Sequence, residues 1–130
     1  MQRKFRLTRS EDFKRVRRSG KSYAHPLVVL IALKSGKSDQ PHVRVGIAAG
    51  RAVGTAVTRN RAKRLLREAV RTLIPGIALR HGSASQDNAS GLDLILIARA
   101  RLASASLQDI REAVQNLLQR AQIITPIHES

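Results

Sequence analysis

The chain has 130 residues, no cysteine, and 24 Lys and Arg against nine Asp and Glu, a formal net charge of +15. That length suits a single domain around one modest core, and the missing thiols exclude disulfides and thiolate metal sites. No apolar run follows Met1, and the longest in the chain, Leu27 to Leu33, is far too short to cross a bilayer, so a cytoplasmic protein without membrane contact is expected.

The first helix is expected from Ser10 to Ser19. Thr8 with Glu11 three residues on matches a capping box, and Gly20 is a natural stop. Its apolar content is thin, Phe13 and Val16 alone, so it forms the wall of something rather than a core element. Tyr23 to Leu33 reads as one strand buried on both faces, with Pro26 near its start or on an edge. The polar stretch Lys34–Pro41 follows. In His42–Ala49, Val43, Val45 and Ile47 alternate with Arg44, Gly46 and Ala48, the pattern of a strand with one buried face. An antiparallel hairpin between these two strands is expected.

Thr58 to Leu73 has the strongest helical periodicity. Ala62, Leu65, Leu66, Ala69, Val70 and Leu73 recur on one face, and Pro75-Gly76 closes the segment. A polar loop, Arg80–Gly91, is expected to be flexible. Leu92–Ala98 is a further buried strand. Ser106 with Asp109 caps a last helix whose stripe is Leu107, Ile110, Val114, Leu117, Leu118 and Ala121. The order α-β-β-α-β-α implies an α+β fold, a mixed sheet with helices on it, and one domain over 1–130 with an ordered core of about 5–121.

The charge is lopsided. Residues 1–67 hold 18 Lys and Arg against three acids, while residues 68–130 hold six of each. A solubilising surface would be mixed in sign and evenly spread. An imbalance confined to one half points to a polyanion, RNA ahead of DNA. Its densest part is Arg59-Asn60-Arg61-Ala62-Lys63-Arg64-Leu65-Leu66-Arg67. Projected on a helix, Asn60, Arg64, Arg67 and Arg71 fall opposite the apolar stripe, with Arg61 and Lys63 on its flanks. Arg59 and Arg61 would then stand in the first turn, where the macrodipole is already positive, at a cost of about 0.3–1 kcal/mol each. A broken local rule of this kind marks a candidate anion site.

The Arg59-Asn60-Arg61 signature, followed by Lys63-Arg64-Leu65-Leu66-Arg67, resembles that of the bacterial ribonuclease P protein family. Val45-Gly46-Ile47, Gly54 with Ala56-Val57, Arg6-Leu7 through Glu11-Asp12-Phe13 to Gly20-Lys21, and Ile95 to Arg99 resemble its other blocks, together covering roughly residues 5–120. The resemblance implies an α/β sandwich like the second domain of ribosomal protein S5, with a βαβ crossover. It implies a subunit that helps a catalytic RNA remove the 5′ leader from precursor tRNA, with one protein per RNA and a monomer when free. Carried over by position, Arg59, Asn60, Arg61, Lys63, Arg64 and Arg67, with Arg51 nearby, would bind the RNA subunit. Phe13, Arg17, Tyr23, Ile31 and Arg44 would line the cleft for the leader. Mg2+ would be held mainly by RNA. The chain departs from the family where a second aromatic often follows Phe13 by one turn (here Arg17), at a mid-strand aromatic (Ile31) and at an Asn before the signature (Thr55). With Phe5, Phe13 and Tyr23 as its only aromatics, leader contact should lean on charge more than stacking.

No constellation for protein-borne catalysis is visible. The four histidines are scattered, Glu11-Asp12 suits a first helical turn, and no serine sits in a nucleophile elbow. A ribosomal or assembly protein of similar fold, or a duplex DNA binder, are the rival assignments.

Overall fold

A computed structural model describes residues 6–35, 43–75, 77 and 91–123. The expected loops 34–41 and 80–91 lie almost wholly outside the described residues, as does the expected stop at Gly76. The elements run α1 (Ser10–Ser19), β1 (Lys21–Ala24), β2 (Val28–Ser35), β3 (Val43–Ala49), α2 (Ala56–Arg71), β4 (Gly91–Ala98) and α3 (Leu107–Arg120). The result is an α+β fold with one mixed four-stranded sheet, ordered β1-β2-β4-β3.

Two expectations about strands are corrected. The segment from Tyr23 to Leu33 is two strands, because Pro26 has no N–H to give to a ladder. His25, Pro26 and Leu27 make a tight turn instead, with His25 N–H donating to Val28 O at 3.0 Å and Leu27 N–H donating to His25 Nδ1 at 3.1 Å. β1 and β2 are therefore the antiparallel hairpin, with Tyr23 opposite Leu30. β2 and β3 do not pair at all. β4 lies between them, antiparallel to β2 and parallel to β3. β4 is buried along nearly its whole length, and a strand apolar on both faces needs a neighbour on each side and cover above and below. The parallel pair β3–β4 requires a crossover, and α2 supplies it.

Strand alternation divides the core. Val28, Leu30, Val43, Val45, Leu92, Leu94 and Leu96 point to one face, where α2 and α3 cover them with Ala62, Leu66, Ala69, Val70, Ile110, Val114, Leu117 and Leu118. Ile31 and Ile95 point to the other, where Leu7 and Val16 meet them with Phe13, Val29, Leu33 and Ile97 at the margin. The sheet is thus a septum with two helices on one side and only α1 on the other.

The helix ends also shift. Thr8 does not cap α1: the N-cap is Arg9, with no side-chain hydrogen bond. The preceding residues are held by β3 instead, with Leu7 N–H donating to Val45 O at 2.9 Å, which seats Leu7 in the core and leaves Thr8 one residue too early. α2 starts at Ala56 rather than Thr58, because the Thr55 side chain accepts from Thr58 N–H at 3.3 Å. It ends at Arg71. The projected stripe is correct: Ala62, Leu66, Ala69 and Val70 are buried, with Leu65 and Leu73 half-buried. Ser106 caps α3 as expected, accepting from Asp109 N–H at 3.0 Å.

Leu66 is fully buried at the centre of the larger cluster. Leu66→Ala should destabilise the fold by roughly 2–5 kcal/mol. A wild-type midpoint in chemical denaturation would show that this face of α2 does not seal the core.

Candidate nucleic-acid interface

α1 offers little apolar surface, so its position on the sheet depends on charge. Asp93, in the middle of the buried face of β4, is only 1 % exposed. Its partner in the β3 register is Arg44, whose Nε donates to Asp93 Oδ1 at 3.1 Å and Nη2 to Oδ2 at 3.0 Å. Arg15 on α1 reaches the same carboxylate, Nη2 to Oδ2, at 2.6 Å. Asp12 closes the ring, accepting from Arg15 at 3.2 Å and lying 3.6 Å from Arg44 Nη1. Two carboxylates and two guanidiniums cancel. The hydrogen bond that Arg15 donates to Asp93 is the main reason the Arg15 pKa lies above the ordinary arginine value, against a smaller loss from desolvation. Arg44, expected in the leader cleft, has its fork on Asp93.

Beside the network, the outer edge of the Phe13 ring sits on Gly46 of β3. A Cβ at Gly46 would collide with Phe13 Cζ, so this strand position is glycine because an aromatic must sit on it. The half-buried ring opens onto a cavity of about 190 Å³ at the β3 edge, lined by Arg6, Leu7, Thr8, Phe13, Val45, Ile47 and Arg67. Arg67 comes from α2 and Arg6 from the segment bridged to β3, so two guanidiniums flank one aromatic. Of the other expected cleft residues, Arg17 is exposed on α1, one turn beyond Phe13. Ile31 is 6 % exposed beneath α1 and is core, not lining. Tyr23 is not brought to Phe13: it packs with the α3 side of the sheet, beside Lys21, whose Nζ lies 5.6 Å from the ring centre.

On α2, Asn60, Arg61 and Arg64 are exposed, Arg59, Lys63 and Arg67 are half-buried, and Arg51 is exposed in the short 3-10 turn Arg51–Val53 ahead of the helix. The earlier helix start moves Arg61 out of the first turn, Ala56 to Arg59, and leaves Arg59 at that turn's end. The macrodipole penalty of Arg61 is correspondingly smaller. Gly54, at φ 139°, makes the sharp entry that L side chains rarely adopt. Arg71 is not a free cation, since its Nη2 donates to Glu68 at 2.6 Å and holds the Glu68 carboxyl below its usual value. From Gln40 to Arg67 the chain contains no acid at all.

Sequence reasoning missed Asp93, Arg15 and Arg6. Asp93 carried a signal, as the one charge inside the apolar run Leu92–Ala98. Arg15 and Arg6 carried none, because each looks like its neighbours among the many N-terminal cations. Among the described residues, no group of three or more His, Cys, Asp or Glu could hold a metal ion.

A family model described as Ribonuclease P matches residues 1–122. The ribonuclease P protein component of Herpetosiphon aurantiacus is 40% identical over 123 residues, covering 95% of this chain and 89% of that protein. That of Clostridioides difficile is 37% identical, covering 90% of this chain and 91% of the relative. The solved RNase P protein of Staphylococcus aureus superposes with a TM-score of 0.73 at 25% identity, over 93% of this chain and 98% of that one. The RNase P protein of Thermotoga maritima gives 0.67 at 29% identity, over 88% and 96%.

Asp93→Asn removes the charge that Arg15 and Arg44 share. Both guanidiniums keep access to water, so the expected loss is about 1.5–3 kcal/mol, the range for a charged hydrogen bond. Amide exchange should accelerate in α1 before it does in α2 or α3. Unchanged α1 protection would show that Leu7, Phe13 and Val16 hold the helix without the ions.

Proposed function

The chain belongs to the ribonuclease P protein component family, and we propose that it grips its RNA partner through the outer face of α2 and the precursor-tRNA leader through the Phe13 cleft. It is the RNA-binding subunit of an endoribonuclease ribonucleoprotein acting in tRNA 5′ maturation. The observation that carries the site assignment is the acid-free stretch from Gln40 to Arg67, whose cations Arg51, Arg61 and Arg64 stand exposed at one end of α2. Arg59 and Lys63 add charge from half-buried positions, and Asn60 adds an amide. Arg59 Nε is enclosed with no hydrogen-bond partner among the described residues, which suits a guanidinium whose outer edge meets phosphate.

Among the described residues, no group of three or more His, Cys, Asp or Glu could hold a magnesium ion. Mg2+ would therefore sit on RNA phosphates, and no step of the protein's role passes through it. What the protein supplies is charge neutralisation between two RNAs and a grip on one of them. One protein per RNA, a free monomer and a cytoplasmic setting complete the proposal. Among the described residues no helix is long and apolar enough to cross a membrane.

Reconstitution tests this. Protein alone should leave precursor tRNA intact, and protein with a ribonuclease P RNA should cleave it to a 5′-phosphate product. Arg64→Ala, fully folded, should weaken assembly and lower the salt slope of RNA binding by about one unit. Cleavage by RNA-free protein, or an unchanged slope, overturns the assignment.

The leader should be held mainly by charge. Phe13 offers one stacking surface, worth about 1–3 kcal/mol per base and tolerant of salt. Arg6, Arg17 and Arg67 offer contacts that release counterions and fade as salt rises. The holoenzyme's preference for precursor over mature tRNA should fall steeply with salt, and Arg17→Ala should flatten the fall. If the preference ignores salt and Phe13→Ala abolishes it, stacking dominates.

A further inference from the structure

The parallel strands β3 and β4 end together, with Ala49 opposite Ala98. Each is followed by a 3-10 turn, Arg51–Val53 after β3 and Ala100–Ser104 after β4. The two turns pack on each other, and the second also packs on α2. The second turn is firmly seated: Leu102 is fully buried, and Leu102 N–H and Ala105 N–H donate to Arg99 O and Leu102 O at 3.0 Å each. Arg61 joins it to α2, with Nη1 donating to Ala103 O at 3.0 Å. So one residue of the α2 face is also the fastening of this turn.

Arg99 caps the turn and Arg101 lies within it, and both are exposed. The Arg99 backbone N–H donates to Leu27 O at 3.0 Å, and among the described residues its guanidinium makes one long contact, Nη1 donating to His25 O at 3.4 Å. The Arg101 guanidinium has no hydrogen bond or ion pair among the described residues. Between Asp93 and Asp109 the chain has no acid. The second half of the sequence is neutral as a whole, yet none of its acids falls in the stretch from Leu94 to Gln108 that holds the turn. A firmly held turn carrying uncompensated guanidiniums, joined to the arginine face of α2, fits a phosphate backbone better than it fits solvent.

We propose that the Ala100–Ser104 turn, through Arg101 with Arg99 at its margin, is a second contact with the RNA subunit, continuous with Arg51 and the α2 face through Arg61. The proposal rests on the assignment of α2 to the RNA subunit. Its ligand is the phosphodiester backbone, with no base preference, and the substrate's leader lies elsewhere, at the β3 edge.

Binding of the ribonuclease P RNA across a salt series is the test, using Arg101→Ala, Arg99→Ala and Arg64→Ala, each first shown to melt like the parent. Arg101→Ala should lower the salt slope by about one unit, and Arg99→Ala by less. The holoenzyme's preference for precursor over mature tRNA should stay at the parent value. If Arg64→Ala lowers the slope and Arg101→Ala does not, the turn faces solvent and this proposal falls while the α2 assignment stands. If neither lowers it, both fall. If Arg101→Ala leaves assembly intact but weakens holding of precursor or mature tRNA, the turn touches substrate and the proposal is equally overturned.

Discussion

Asp93 carries a full charge into the most buried strand of the sheet. A carboxylate there is tolerable only if cations come to it. Arg44 comes along the register of the neighbouring strand and Arg15 comes down from α1. The second of these fixes the rest. α1 has one fully buried apolar side chain, Val16, and would otherwise slide on its face of the sheet. The ion ring specifies which residue of the helix stands over which residue of β4. Phe13 then falls on Gly46, and the cavity at the β3 edge takes its shape from that contact.

The same ring explains how a protein of net charge +15 keeps an ordered face beneath α1. Arg15 and Arg44 are neutralised by Asp12 and Asp93, and Arg71 by Glu68. Most of the few described acids that pair at all serve these internal ties. Arg17, Arg51, Arg64 and Arg101 are exposed and have no such partner among the described residues. The chain thus separates cations that build the fold from cations that are left for a ligand. Composition alone treats the two sets alike.

That separation sets what the sequence could reveal. The α2 stripe was legible because 3.6-residue periodicity is local, and Ala62, Leu66, Ala69 and Val70 are buried as projected. The Ser106 cap was legible for the same reason. The strand order was not: nothing near His42–Ala49 says that β4, from far along the chain, will insert between it and β2. The pairing of Arg44 with Asp93 was not legible, because the two are 49 residues apart. Tyr23 was misplaced because reading β1 and β2 as one strand hid which face it shares with Leu30. The Arg59–Arg67 cluster was legible as the basic outer face of a helix, yet the division of labour within it was not. Arg67 turns to the Phe13 cavity, Arg61 ties down a turn, and only Asn60 and Arg64 are simply exposed.

α2 therefore does more than present charge. Its buried stripe locks it to the sheet and α3. Towards one flank Arg67 helps line the cavity beneath α1, and nearer its start Arg61 holds the turn after β4. A helix packed into the core by four fully buried side chains has little freedom to let these two places move separately. The Phe13 cavity and the outer face of α2 are thus fixed relative to each other by one rigid element. Under the proposed assignment, that element sets the distance between a leader held at the cavity and an RNA held on α2, which a pair of flexible basic arms with the same total charge would not do.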